Sequence, residues 1–207
     1  MMISPRRLDR ATARPAPFRR VFSEFVKLAA GAFLAVGGWR MQGDWPGHEK
    51  CVLLAAPHTS NWDALNMLAA AAYYRVKLRW MGKKSLTTGP FGFLMKWVGC
   101  VPVDRASSND LVSQMRSAFQ GEERLVLAVA PEGTRTLNPN WKSGYYHIAI
   151  GAGVPIVLSV LDYGARTITL SGVIHPSGDY DADSKWIKAH YADAVARFPD
   201  KFTTGPQ

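Results

Sequence analysis

Short apolar runs alternate along the chain with stretches whose apolar residues recur at helical spacing. Cys51–Ala56, Cys100–Val103 and Leu125–Ala130 are nearly unbroken apolar segments, too short for helices and edged by turn residues, so they read as buried strands. Lys77–Met81 reads as another strand. Pro155–Leu161 and Thr167–Leu170 read as two more, joined as a hairpin through Tyr163 and Gly164. Helical spacing covers Asn61 to about Tyr74, Phe91–Val98, Ser108–Phe119, Gly144–Ile150 and Asp181–Arg197. Pro57 and Pro131 each end a strand, and the turn cluster Gly43–Gly47 opens the folded body. Strands interleaved with helices predict an α/β fold, a mostly parallel central sheet flanked by helices. In such sheets the groups that meet a ligand gather in loops at the carboxyl ends of strands.

The amino-terminal end departs from this pattern. Residues 1–20 carry Pro5, Pro15, Pro17 and clustered arginines and are expected to form a basic flexible arm. Leu28–Trp39 is then twelve residues without a charge, too short to cross a bilayer comfortably. A basic segment feeding a short apolar stretch that ends in Trp fits a helix lying on a membrane or shallowly inserted in it. A buried core helix is the competing reading. A signal peptide would need a small-residue cleavage site, but Trp39-Arg40-Met41-Gln42 follows instead. Three parts are therefore expected: the arm at 1–20, an uncleaved N-terminal membrane-associating helix within 21–42, and the functional domain at 43–207. Removing residues 1–40 should then release the chain from membranes.

Composition changes little in that picture and charge changes more. At 207 residues, 47% hydrophobic and 20% charged, the chain is an ordinary globular one. Its net charge is +9, and residues 1–27 hold seven basic against two acidic side chains, more than half of the excess. The charge adjoins an apolar segment and no nucleic-acid-binding module is apparent in the body, so a membrane fits better than nucleic acid. Cys51 and Cys100 sit inside apolar runs without metal-site or disulfide spacing, and read as buried thiols.

Two loops after strands carry the chemistry. In the first, His58 lies in the turn after Cys51–Ala56 and Asp63 in the first turn of the next helix. A carboxylate on one ring nitrogen fixes the tautomer and leaves the other nitrogen free as a general base. In the second, Glu132, Gly133, Thr134 and Arg135 follow the strand Leu125–Ala130. A glycine beside a hydroxyl and a guanidinium offers backbone amides, an O–H donor and a bidentate fork to an anion. Ser60 lies too close to His58 in sequence for a Ser-His-Asp arrangement, and no Gly-x-Ser-x-Gly elbow exists. The aromatic run Phe91, Phe93 and Trp97 could line an acyl tunnel, dip into lipid or pack in the core.

In order and spacing these blocks resemble the glycerolipid acyltransferases, a family that includes lysophosphatidic acid acyltransferase. His58 and Asp63 match its H-x4-D signature, and Pro131–Arg135 its Pro-Glu-Gly-Thr-Arg block. Gly99–Arg105 resembles its block ending in a phosphate-contacting arginine, and Val154–Val157 its fourth, apolar block. The resemblance covers about residues 50–165 and is nearest to the short bacterial branch. It implies transfer of a fatty acyl chain from acyl-CoA or acyl carrier protein onto the hydroxyl of a lysophospholipid, with His58 as base and Asp63 orienting it. Glu132, Gly133, Thr134 and Arg135 would line the acceptor site, Arg105 would add a second positive charge, and Lys83 or Lys84 a third. Beyond the co-substrate no cofactor or metal is implied, and the expected place is the cytoplasmic face of the cell membrane. A thioesterase or other hydrolase with the same dyad is the alternative, against which Arg105 and Arg135 argue.

Overall fold

The computed structural model of the chain describes residues 17–103 and 108–205. Residues 1–16 of the basic arm, and Arg105 among the expected site residues, lie outside them.

Helix α1 (Pro17–Val36) begins eleven residues before the apolar stretch seen in the sequence and ends at Gly37-Gly38, where Gly38 takes a left-handed φ of 74°. Ala30 and Leu34, one turn apart, are buried, while Phe25, Leu28 and Val36 on other faces are exposed. After the turn comes β1 (Arg40–Gln42), three residues with no hydrophobic alternation. Then follow β2 (Lys50–Ala56), α2 (Asn61–Tyr73), β3 (Leu78–Lys83), the short helices α3 (Ser85–Thr88) and α4 (Gly92–Trp97), and β4 (Cys100–Val103). The second half holds α5 (Ser108–Gly121), β5 (Leu125–Val129), α6 (Gly144–Ala152), β6 (Ile156–Asp162), β7 (Thr167–Ile174) and α7 (Tyr180–Ala189). A 3-10 turn at Pro199–Lys201 follows.

The strands form one seven-stranded sheet in the order β1-β7-β6-β2-β5-β3-β4. β6, β2, β5, β3 and β4 are mutually parallel; β7 returns antiparallel beside β6, and β1 lies parallel to β7 at the edge. The expected α/β architecture with a mostly parallel sheet is therefore the one observed. The strands read as unbroken apolar runs because both faces are covered. Val52, Leu54, Leu125, Leu127, Ile156 and Leu158 face a large core with Tyr145, Ile148 and Ile187. The alternate residues Cys51, Leu53, Val126, Ala128 and Val157 face a second layer with Ala71 and Leu78.

Two elements differ from the sequence reading. α1, read as a membrane-associating helix with a core helix as the competing reading, has one packed face: Leu34, with Trp39 after it, packs with Ala70, Leu161 and Ile168, and α1 lies along α2. The last helix stops at Ala189 instead of continuing to Arg197. There the chain turns so that the Tyr191 ring is fully buried and its hydroxyl donates to the Leu54 carbonyl at 2.8 Å.

Candidate active site

β2 and β5 are adjacent and parallel, with Leu54 opposite Val129, so their following loops leave the same rim of the sheet. β3 lies beyond β5, with Trp80 opposite Ala128, and its last residue Lys83 reaches that rim about 10 Å from β2. The expected His58, Glu132–Arg135 and Lys83–Lys84 groups thus share one rim.

Asp63 is the third residue of α2, whose N-cap is Ser60. Its Oδ2 accepts the backbone N–H groups of Thr59 and Ser60, both at 2.7 Å. Its Oδ1 accepts the Ser60 hydroxyl at 2.7 Å and the Tyr163 hydroxyl at 2.6 Å. The carboxylate is 3% exposed. A charge buried this far is held by its donors and by the positive end of α2. The imidazole of His58 is 29% exposed, and its Nδ1 stands 3.7 Å from Asp63 Oδ2. That is ion-pair range, beyond a hydrogen bond; the other ring nitrogen is left for a substrate. Burial lowers the His58 pKa, with Asp63 acting upward and Arg135 downward. The imidazole is therefore neutral at neutral pH.

The second loop supports the first. Glu132, 2% exposed, accepts the backbone N–H of His58 at 2.8 Å through Oε1, while Oε2 is buried without a partner. Burial raises its pKa to about 7, against the lowering effect of backbone donors. Glu132 is thus a strut beneath His58 rather than an open ligand-facing group. The Asn138 side chain donates to the Glu132 carbonyl at 2.7 Å. Gly133 has a φ of 66°, and a Cβ there would come within 3.0 Å of Lys142, so this turn favours glycine for two reasons. Arg135 is exposed and donates to the Asn61 side chain, which ties the second loop to the start of α2. Thr134 is exposed, paired with Thr136 through their hydroxyls. Lys83 and Lys84 are exposed on the rim beyond β5.

Several contributors carry no signature in the sequence. Tyr163, in the β6–β7 turn, lies 100 residues from the carboxylate it binds, and its oxygen accepts the Asn66 side chain at 3.3 Å. Asn61 and Lys142 join the Pro131–Arg135 loop only through the fold. A groove of about 480 Å³ opens beside this network, between α1 and α2, lined by Phe33, Val36, Trp62, Asn66, Tyr163 and two guanidinium groups, Arg166 and Arg197. Arg197 lies over the rings of Trp62, 5.5 Å away, and Tyr163, 5.9 Å away. The thiols are inert by comparison: burial pushes Cys51 up to about 12 and also raises Cys100.

Comparisons with known proteins bear on the family and the fold. A family model described as Acyltransferase matches residues 41–160. The 1-acyl-sn-glycerol-3-phosphate acyltransferase of Haemophilus influenzae is 33% identical over 121 residues, 55% of this chain and 49% of that protein. The Salmonella typhimurium enzyme of the same name is 33% identical over 109 residues, 49% of this chain and 43% of its own. The Escherichia coli enzyme is 31% identical over 123 residues, 56% and 49%. The chain thus spans about half the length, or less, of the curated relatives it matches. A crystal structure of the 1-acyl-sn-glycerophosphate (LPA) acyltransferase PlsC from Thermotoga maritima shares the fold, with a TM-score of 0.54 and 13% identity over 83% of this chain and 77% of that one.

Proposed function

The chain belongs to the Acyltransferase family, and on that premise we propose that it moves a fatty acyl chain from acyl-CoA or acyl carrier protein onto the hydroxyl of a lysophospholipid such as lysophosphatidic acid. The observation that carries this reading is the His58 ring, backed by a buried, fully engaged Asp63 and half open at a rim that also presents Arg135. His58, neutral at pH 7, takes the proton of the acceptor hydroxyl through the nitrogen turned from Asp63. The oxygen attacks the thioester carbonyl, and the tetrahedral intermediate expels the thiolate. That leaving group takes the proton from the imidazolium, so His58 returns to its starting form without an acyl-enzyme. Asp63 stabilises the imidazolium formed between the two steps.

The acceptor phosphate is assigned to Arg135, with Thr134, the amides around Gly133, and Arg105, Lys83 and Lys84 supplying further donors and charge. The proposed chemistry draws on no metal or prosthetic group, the base, carboxylate and cations being enough. The partners are membrane lipids and the thioester donor, not nucleic acid. Among the described residues no helix is long and apolar enough to cross a membrane. The exposed Phe25, Leu28 and Val36 of α1 support association with one leaflet, assigned to the cytoplasmic face.

The test is a mass-spectrometric assay of the native chain and His58→Ala with acyl-CoA, acyl carrier protein thioester and a panel of lysophospholipids. A diacyl product made only by the native chain supports transfer and names the acceptor. Free fatty acid as the sole product, whatever the acceptor, overturns it in favour of a hydrolase.

A further inference from the structure

The crossover from β3 to β4 carries an apolar surface, between Leu86 and Trp97, that the acyl-transfer reading does not use. Phe91, Phe93 and Trp97 are 69%, 73% and 76% exposed, and Leu86 and Leu94 are exposed beside them. They are therefore neither core nor tunnel lining. Five large apolar side chains open to water within twelve residues is far more than scattered surface hydrophobicity. Gly92, buried between them, explains the geometry: a Cβ there would meet the Thr87 carbonyl oxygen at 2.2 Å. The close approach of α4 to α3 sets the rings outward.

The charge within this crossover has one sign. Lys83, Lys84 and Lys96 are exposed in the same crossover, and no acidic residue occurs from Lys77 to Val103. Arg79 is taken up by Glu122 at 3.0 Å, and Lys77, also exposed, precedes β3. We infer that the α3–α4 crossover docks on an anionic lipid bilayer, Phe91, Phe93 and Trp97 entering the interface while the lysines sit at the head groups. Phe and Trp with nearby Lys is the composition that an acyl–water boundary selects. A second copy of the chain fits poorly, since a two-fold contact would set these lysines against their own images. An acidic carrier protein would use the lysines but would leave three exposed aromatic rings unexplained.

The position gives the docking a consequence. α3 and α4 pack on β3 and β4 at one edge of the sheet, whereas α1 lies along α2 and meets β6 and β7 through Leu34, toward the other edge. From β7 to β4 is five inter-strand spacings, roughly 24 Å, and the His58 and Glu132 loops fall between them. A bilayer touched near both edges holds the rim against the lipid, where a lysophospholipid can present its head group without leaving the membrane.

The experiment reads vesicle binding without turnover, so its failure is distinct from failure of the acyl-transfer reading. The full chain and the triple variant Phe91→Ser, Phe93→Ser, Trp97→Ser are titrated with phosphatidylcholine vesicles with and without phosphatidylglycerol. The native chain should partition more strongly onto the anionic vesicles, and the variant should bind them about ten-fold more weakly. A second measurement holds if the triple variant misfolds. Lipids brominated along their chains should quench native tryptophan emission, and Trp97→Phe should remove part of that quenching while leaving partition nearly unchanged. Equal partition of native and folded triple variant, equal quenching with and without Trp97, or no vesicle binding by the native chain overturns the proposal. So does a triple variant that binds vesicles normally but loses affinity for acyl carrier protein, which would make the surface a protein dock.

Discussion

Four donors converge on Asp63 from Thr59, Ser60 and Tyr163, and they hold its carboxylate whether or not His58 is present. His58 contributes its backbone N–H to Glu132 and leaves its ring half open. Replacing the two should therefore separate function from stability. His58→Ala should lower turnover by about 10² to 10⁴ while moving the unfolding free energy by less than about 0.5 kcal/mol. Asp63→Ala should lower turnover as well, and should also cost about 2 kcal/mol by stripping the start of α2 of its cap and orphaning buried donors. Paired kinetics and urea melts check both; equal stability losses would mean that His58 is the structural group. The pH profile follows from the environment of the ring. The base must be neutral, and its pKa lies below the ordinary 6.5, so the acid limb of kcat/KM should fall below pH 6.5. Arg135→Ala removes one lowering influence and should move that limb upward, whatever it does to acceptor affinity. Glu132 has the opposite linkage. Its carboxyl is raised from 4.5 to about 7 by burial, so below pH 4.5 it is neutral folded or unfolded and costs nothing. Between 4.5 and 7 the unfolded chain loses the proton that the folded chain keeps, and stability falls as pH rises, by roughly 3 kcal/mol in all. Glu132→Gln, which keeps the acceptor for His58 N–H, should flatten that slope in melts across pH 4 to about 8.

That His58 and Asp63 would lie near each other was legible in sequence because four residues and one turn separate them, and the two side chains stand 3.7 Å apart. Tyr163 was not, because only the return of β6 beside β2 brings the β6–β7 turn to α2. The same contrast runs through the elements. β2 and β5 announced themselves as apolar runs because both faces of those strands are covered. β1 did not: Arg40-Met41-Gln42 has no apolar pattern and is a strand only because its backbone pairs with Thr167–Thr169. The crossover before β4 shows how tightly an element boundary can be set. Gly99 has a φ of 94°, and a Cβ there would stand 2.1 Å from the Leu78 carbonyl oxygen. Gly99→Ala should cost more than about 2 kcal/mol from the strained φ and the forced shift of β3. Gly47→Ala, at a φ of 78° with open space around its Cβ, carries the backbone cost alone. The difference between the two melts isolates the collision, and equal losses would show that β3 yields without cost.

Across the whole molecule, the sequence suggested an amino-terminal segment separable from a folded domain, and the packing argues against so clean a division. Leu34 is buried with Trp39, Ala70, Leu161 and Ile168, and β1 adds the last strand of the sheet. Deleting residues 1–40 would remove the Leu34 side chain, worth about 2 kcal/mol by burial alone, along with the wall of the α1–α2 groove and the first residue of β1. Loss of membrane binding after that deletion would then be ambiguous between a lost anchor and a damaged fold. The exposed stripe offers a cleaner change, because Phe25, Leu28 and Val36 point away from the packed face that holds Ala30 and Leu34. Phe25→Ser, Leu28→Ser and Val36→Ser together should leave the melt within about 1 kcal/mol of native, since surface positions contribute little to folding. The same variant should sediment less with anionic vesicles, its residual binding carried by the α3–α4 crossover. Combined with Phe91→Ser, Phe93→Ser and Trp97→Ser, it should lose what remains. If the α1 variant binds as the native chain does, α1 is a packing helix whose outer face is merely exposed, and the membrane contact lies on the other edge of the sheet alone.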